Sequence, residues 1–364
     1  MKTWIFICGS AEPGADGVGD YCRILAVALY AKGIRVVICA INDKHSRQEI
    51  VHEVTPFGSV LRLASALSWE KRFAQLAALL KEHRPVLCSL QYVPYAFNNL
   101  GVPWRLVSGL KKLVKYTAVP WHMMMHETWI GFSEISPIKH RIVGLIQKLI
   151  LLQLVGALRP VTIHTSNVLY QNLLADAGLC AERLPLFSNM QISETELPWI
   201  ACELAALGME QAARSDWLVV GQFGSVYPSY PLEAHLAVIR VDAEARGKRL
   251  MVLGMGGGVG TGLDWEQRVG QALPSALVRH WGRQSDSRIS AFLQQLDLGL
   301  VATPRQFVGK SSSAAAFHLH GVPIDIGYEV NIPDFHERWG RGISYTDLFR
   351  PVDKIAEELL VLFS

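Results

Sequence analysis

Charge is sparse in this chain and nearly balanced. Of 364 residues 18% are charged and the net charge is only +3. No block of lysine and arginine is long enough for the basic stripe that nucleic acid requires, so nucleic acid is excluded as the main partner. Closely spaced cysteines are also missing. Cys8, Cys22, Cys39, Cys88, Cys180 and Cys202 show no metal-type pairing, and several lie in apolar patterns where a thiol behaves as a small hydrophobe. They read as reduced cysteines of a cytoplasmic protein. No internal repeat or low-complexity tract interrupts the chain. No run reaches the roughly 18 to 20 uncharged apolar residues of a membrane span. The nearest, Ile142 to Leu158, contains Lys148 and reads first as a core-facing helix. Its apolar density beside Lys139, His140 and Arg141 leaves contact with a membrane surface as a second reading.

Apolar residues, by contrast, are abundant. Half the chain is hydrophobic, and at about 150 residues per domain a chain of this length fills two cores. Met1 to Ala11 has too short an apolar run for a secretory signal, with a glycine loop and a helix directly behind it, so it reads as the first strand. Strand patterns fall at Trp4 to Cys8, Ile34 to Ile41, Val86 to Leu90, Thr117 to His126 and Val161 to His164, with helical patterns such as Gly19 to Lys32 and Trp69 to His83 between them. After a loop at Leu186 to Ser193 the pattern restarts with Trp217 to Gly221, Arg249 to Gly254, Ala276 to Trp281, Leu298 to Ala302 and Pro323 to Ile326. Such alternation implies parallel strands joined by crossover helices, twice over. Ligands of such sheets lie beyond the carboxyl ends of the strands.

Each half carries one glycine-rich turn between a strand and a helix. In the second half Gly309-Lys310-Ser311-Ser312-Ser313 precedes small residues and ends in Gly321-Val322-Pro323. A helix opened by a glycine, a lysine and three hydroxyls offers free N–H groups, a positive helix end and an ammonium to one anion, and phosphate is the natural guest. The P-loop spacing is absent, since Pro304 stands where its first glycine belongs. In the first half Pro13-Gly14-Ala15-Asp16-Gly17-Val18-Gly19-Asp20-Tyr21 follows the first strand. The gap from Cys8 to Gly17 is too long for a dinucleotide fingerprint. A surface loop without a ligand is the plainer alternative for either turn.

These residues resemble the two-domain GT-B glycosyltransferases, particularly the large retaining family of sucrose and bacterial polysaccharide glycosyltransferases, and the order of motifs does so over nearly the whole chain. Gly17-Val18-Gly19-Asp20-Tyr21 is similar to that family's first glycine loop, and His126-Glu127-Thr128-Trp129 to its inter-domain histidine motif. His164-Thr165-Ser166-Asn167 resembles the last strand-to-helix turn of the acceptor domain. Val220-Gly221-Gln222-Phe223-Gly224 resembles the first strand and loop of the donor domain, and Gly309-Lys310 through Pro323 its phosphate and ribose segment.

The resemblance implies an α/β fold of two doubly wound Rossmann-like domains facing each other across a cleft. It implies an acceptor domain over 1–190, a nucleotide-sugar domain over 191–345 and a C-terminal helix over 346–364 near their junction. It further implies transfer of a hexose from a nucleoside diphosphate sugar, UDP-sugar favoured, to a saccharide or lipid-linked acceptor in polysaccharide or glycoconjugate synthesis, with retention. No cofactor is expected beyond the donor. No metal is expected either, because the chain has no Asp-x-Asp to clamp the diphosphate. Two departures stand out. The family's paired glutamates in the last segment would fall at Val308 and Ala316, and its arginine and lysine after the first donor-domain strand at Gln222 and near Tyr230. A nucleotide-sugar epimerase of the same architecture, or a non-catalytic sugar-nucleotide-binding protein, are the rival expectations.

The residues expected to act on substrate are His126, Glu127 and Lys310. Those expected to hold the donor are Gly17, Gly19, Gly224, Arg283, Gly309, Lys310, Ser311, Ser312 and Ser313, with Arg305 as a second candidate for positive charge. Each has a plainer structural role available: a helix cap for the serines, a surface pair for the arginines, a satisfied core group for the histidine. His318 and His320 do not share a helix face and are not expected to bind metal.

Overall fold

A computed structural model describes all residues except 134, 210, 227–228, 259–261, 326–346 and 364. The chain divides into two compact units, Met1–Pro185 with the C-terminal segment Asn331–Ser364, and Leu186–Val330. Ile326, the expected end of the last strand, and the expected boundary at 345–346 lie outside the described residues.

Unit one is built on strands β1 (Lys2–Cys8), β2 (Ile34–Asp43), β3 (Ile50–Thr55), β4 (Gly58–Ala64), β5 (Leu87–Tyr92), β6 (Trp121–Met125), β7 (Thr162–Thr165) and β8 (Glu182–Arg183). Among the described residues they form one sheet in the order β3-β4-β2-β1-β5-β6-β7-β8, parallel except where β3 runs antiparallel to β4. Trp4 to Cys8 are buried without a break, as a central parallel strand covered on both faces requires. The covering helices are α1 (Gly17–Ala31), α2 (Trp69–His83), α3 (Pro94–Phe97), α4 (Trp104–Leu113), α5 (Ile138–Leu158) and α6 (Val168–Asp176). Strand β6 is shorter than the expected run from Thr117 to His126. The preceding residues Val114–Tyr116 form a 3-10 turn, and Pro120 has no N–H for the ladder, although its carbonyl accepts from the Cys88 N–H.

The C-terminal helix, Val352–Phe363, belongs to this unit. It buries Ile355, Ala356 and Leu359, and the Phe363 ring meets the Trp4 indole edge-on at 5.6 Å. Lys32 on the end of α1 donates to Glu357 at 2.9 Å.

Unit two holds β9 (Trp217–Phe223), β10 (Arg249–Met255), β11 (Leu277–His280), β12 (Leu298–Leu300) and β13 (Ile324–Asp325). They are parallel throughout, in the order β11-β10-β9-β12-β13. Its helices are α7 (Leu197–Ala206), α8 (Leu232–Ala245), α9 (Leu263–Ala272), α10 (Asp286–Leu293) and α11 (Ser312–Leu319). The core between sheet and helices gathers Leu218, Val220, Leu236, Val252, Trp265, Val269 and Leu300. Both units are doubly wound α/β sheets, as the strand and helix patterns imply.

Candidate functional site

In unit two the first strand, β9, lies between β10 on one side and β12 on the other. The connections leave it in opposite directions, which is the topological switch point where ligands of such sheets bind. Four loops gather at this carboxyl edge. Gly224 follows β9 with φ 87°, a conformation glycine reaches without strain. Its N–H donates to the Met255 carbonyl at 3.0 Å, and the Gly256 N–H donates to the Gly282 carbonyl at 2.8 Å. Gly256 has φ 118°, and a methyl on it would come within 2.9 Å of the Gly224 nitrogen. A methyl on Gly257 would sit 2.6 Å from Cγ of Arg283, so the arginine stem lies along that loop. On the other side of Gly224 the nearest atom to an added methyl is the Ser313 Cβ, at 3.9 Å.

Gly224, Arg283, Ser311 and Ser313 are therefore assembled in one place through the Gly256-Gly257 backbone. Ser311 is the N-cap of α11, and its buried hydroxyl accepts from the Ala314 N–H at 3.3 Å and from Thr303 Oγ1 at 3.1 Å, with Ser313 Oγ at 3.1 Å. Ser312 and Ser313 occupy the first turn of α11, where N–H groups have no partner within the helix and point out of its positive end. The helix does not open at Gly309 as expected. Arg305–Lys310 form a 3-10 turn, and the Ser311 N–H closes onto the Val308 carbonyl at 2.9 Å, which removes it from the anion-binding amides. Gly309 is buried in this turn, and Lys310 is half-buried with Nζ 5.6 Å from the centroid of the Phe307 ring. Arg305 is half-buried in the same turn.

The positions expected for the glutamate pair, Val308 and Ala316, are buried apolar residues. Tyr230 is also buried, its ring stacked on His235 at 5.0 Å. Gln222 is fully buried and donates from Nε2 to the Gly224 carbonyl at 2.6 Å, so it shapes the loop that follows its strand. His320 lies against Ser290, with Nε2 2.9 Å from the Ser290 hydroxyl. Among the described residues no group of three or more His, Cys, Asp or Glu side chains is placed to hold a metal.

Gly17 and Gly19 fall in unit one, at the start of α1. Asp16 caps that helix, accepting from the Val18 and Gly19 N–H groups at 3.1 and 2.8 Å. Gly17 faces open space, whereas a methyl on Gly19 would come 2.7 Å from the Ala11 Cα, so Gly19 serves close packing of α1 on the loop after β1. Tyr21, one turn on, meets the His126 ring edge-on at 4.9 Å. His126 and Glu127 follow β6 directly, both half-buried, and both of their N–H groups donate to the Tyr92 carbonyl.

Behind His126 runs a chain of polar side chains that the strand patterns do not reveal. His126 Nε2 lies 2.9 Å from Gln91 Oε1, and Gln91 Nε2 donates to Ser89 Oγ at 2.7 Å. Ser89 Oγ lies 2.7 Å from His122 Nδ1, and His122 Nε2 lies 2.9 Å from His164 Nδ1. One proton arrangement satisfies every link: Ser89 donates to His122, His122 to His164, and His126 donates from Nε2 to the Gln91 carbonyl. That places a proton on His126 Nε2. Burial, reinforced by the neighbouring His164 and His126, holds the His122 pKa well below its ordinary value. Burial lowers His164 as well, against the opposing pull of Glu182. The sequence signal for this chain is the polar residue within a buried strand: Ser89 and Gln91, His122, and His164.

No family model matches the chain, and no curated protein does. Solved structures are similar to it. HepE of Anabaena in complex with UDP and glucose aligns with 12% identity over 99% of this chain and 94% of its own, at a TM-score of 0.51. In complex with UDP, HepE aligns at 14% identity and a TM-score of 0.51, over 99% and 94% of the two chains. The E. coli trehalose-6-phosphate protein bound with UDP-2-fluoro glucose aligns at 11% identity and a TM-score of 0.50, over 100% of this chain and 96% of its own. At these identities the likeness is one of fold: the chain has the two Rossmann-like α/β units of the GT-B type.

The buried histidine pair makes the stability of unit one depend on pH. His122 and His164 are neutral when folded and take up protons on unfolding below an ordinary value of about 6.5. Their contribution is therefore complete above about pH 6.5 and is lost as the pH falls from there toward the depressed folded values, at up to about 1.4 kcal/mol per proton and pH unit. Urea unfolding of unit one should show a midpoint that declines between about pH 7 and about pH 5.5, and less steeply in His122→Gln. A midpoint equally steep in both proteins would contradict the neutral pair.

Proposed function

We propose that the protein is a nucleotide-sugar-dependent glycosyltransferase, moving a hexose from a nucleoside diphosphate sugar, UDP-sugar favoured, to a saccharide or lipid-linked acceptor in polysaccharide or glycoconjugate synthesis. The observation that carries this reading is the set of loops after β9, β10, β11 and β12, gathered at the switch point around Gly224 and Ser313. The HepE structures of the same fold hold UDP, or UDP with glucose, which supports the donor class.

In this reading the diphosphate lies against the start of α11. The Ser312 and Ser313 N–H groups, the Lys310 ammonium and the Arg283 guanidinium stabilise the charge that develops as the sugar C1–O bond breaks and the electron pair leaves on the diphosphate. Fixed donors need no reorganisation at that moment. The acceptor oxygen forms the new bond to C1, and its proton leaves with the nucleoside diphosphate or to water. Retention, catalysis without metal and a cytoplasmic location complete the proposal.

Unit one takes the acceptor. His126, held through Nε2 by Gln91, binds a hydroxyl of the transferred sugar, and Glu127 beside it orients the ring or takes a proton. Val308 and Ala316 favour the rival reading of a non-catalytic sugar-nucleotide-binding protein, because no carboxylate stands where the resembling family has two. Turnover separates the two readings.

For a lipid-linked acceptor, α5 offers a surface. Ile138, Ile142, Leu145 and Leu149 are all exposed and follow one another at helical spacing, with Lys139, Arg141 and Lys148 interspersed, the pattern of a helix lying in an anionic membrane interface.

Lys310→Ala should weaken UDP binding about ten-fold or more, since a charge-assisted bond contributes roughly 1.5 to 3 kcal/mol. His126→Ala should lower turnover with UDP affinity nearly intact, and wild-type turnover should survive EDTA. Unchanged UDP affinity in calorimetry removes Lys310 from the site, and normal turnover makes His126 structural. The membrane contact is checked separately by co-sedimentation with phosphatidylglycerol vesicles, expected for the wild type and lost in Leu145→Glu. Equal binding of both proteins would contradict it.

A further inference from the structure

Unit one also contains a charged recess whose lining does not include His126. A cavity of about 630 Å³ lies where β2 ends, α2 begins and the chain passes from α3 into α4, lined among others by Asn42, Lys44, Ser68, Arg72, Asn98 and Arg105. Three of its lining residues are cations and none is an acid. The nearest acid at the end of β2, Asp43, is engaged elsewhere, accepting from Arg62 Nε at 2.7 Å, from Ser10 Oγ at 3.0 Å and from the His45 N–H at 2.8 Å.

Arg72 is the most unusual member. It is only 3% exposed, yet its contacts are neutral: Nη1 donates to Asn42 Oδ1 at 2.7 Å, Nη2 donates to the Ser65 carbonyl, and its guanidinium lies 4.6 Å from the centroid of the Trp69 ring. Its Nε is buried without a hydrogen-bond partner. Lys44 likewise donates to a neutral group, the Tyr95 carbonyl, at 2.9 Å. Arg105 is exposed and near enough to act on Arg72, whose pKa is lowered by burial first and then by the positive charge of Arg105. The carboxylate that feels Arg105 is Glu70, which is exposed and does not line the cavity. A buried guanidinium without a counter-charge is costly, and a second cation close by raises that cost. An anion in the cavity relieves both, and two guanidinium forks with an ammonium suit a tetrahedral oxyanion.

We infer that this cavity binds the phosphate of a phosphate-bearing acceptor, either a free sugar phosphate or the phosphate of a lipid-linked saccharide. Lys44 and Arg105 contact the phosphate oxygens, and Asn42 and Trp69 hold the Arg72 guanidinium in place. The assignment of an acceptor rests on the transferase reading; the phosphate site itself does not.

Calorimetry on the full chain in the presence of excess UDP, with inorganic phosphate, glycerol 3-phosphate and geranyl diphosphate as probes, tests it. The wild type is expected to bind at least one of the two esters. Arg105→Gln and Lys44→Gln, both at exposed positions, should each weaken that binding about ten-fold, while Lys310→Ala leaves it unchanged. Tighter binding of geranyl diphosphate than of glycerol 3-phosphate assigns the site to a lipid-linked acceptor, and the reverse order assigns it to a free sugar phosphate. Absence of heat with all three probes, or unaltered affinity in both Arg105→Gln and Lys44→Gln, overturns the site. If UDP itself fails to bind but the esters do so with the expected loss in these variants, the transferase reading falls and the phosphate site stands.

Discussion

The contact of the Gly256 backbone with that of Gly224 is the constraint on which the candidate nucleotide site depends. Two loops from neighbouring strands meet with no room for a methyl between them, 2.9 Å from an added Cβ to the Gly224 nitrogen. Both residues have positive φ. Because the loops meet there, the Arg283 stem can lie along Gly257 on one side while Gly224 reaches the first turn of α11 on the other. Any side chain at Gly256 would push the loops apart and separate the guanidinium from the helix end. The glycine-rich loop Gly256 to Gly258 is in this place tightly determined.

Unit one solves a different problem. Its inner strands carry Ser89, Gln91, His122 and His164 into the buried sheet, and such groups are tolerated only when each finds a partner. Linking them in one chain gives each of these side chains a partner, with His164 Nε2 left without a hydrogen bond, and also anchors the ring of His126 through Nε2. The same chain explains why the buried imidazoles are neutral: each ring nitrogen that accepts a hydrogen bond must lack a proton. Phe363 of the C-terminal helix lies 5.6 Å from the His122 ring, so the end of the sequence helps to cover the middle of this chain.

Much of the fold was legible because its signals are local. The helix Trp69–His83 has the expected bounds, because Ser68 caps it and accepts from the Lys71 N–H. Central strands such as β1 and β9 stand out as unbroken apolar runs. The antiparallel β3–β4 hairpin was not legible, since its register is set by pairing across the turn and its outer strand is only half-buried. In the candidate site Gly224, Arg283, Ser311 and Ser313 come together, but the helix start was misplaced by the 3-10 turn through Lys310. The polar chain escaped notice because its members lie far apart in sequence and each resembles an ordinary isolated core residue. The cationic cavity escaped for the same reason: Lys44, Arg72 and Arg105 are neighbours only once β2, α2 and α4 are in place.

Hydrogen exchange with and without UDP, resolved by peptide, tests the central claim most directly. The account predicts slowed exchange in the segments around Gly224, Gly256, Arg283 and Ser311 to Ala315, because these amides and loops would close on the diphosphate. Slowed exchange confined to unit one, or none in any of these four segments at saturating UDP, would contradict it.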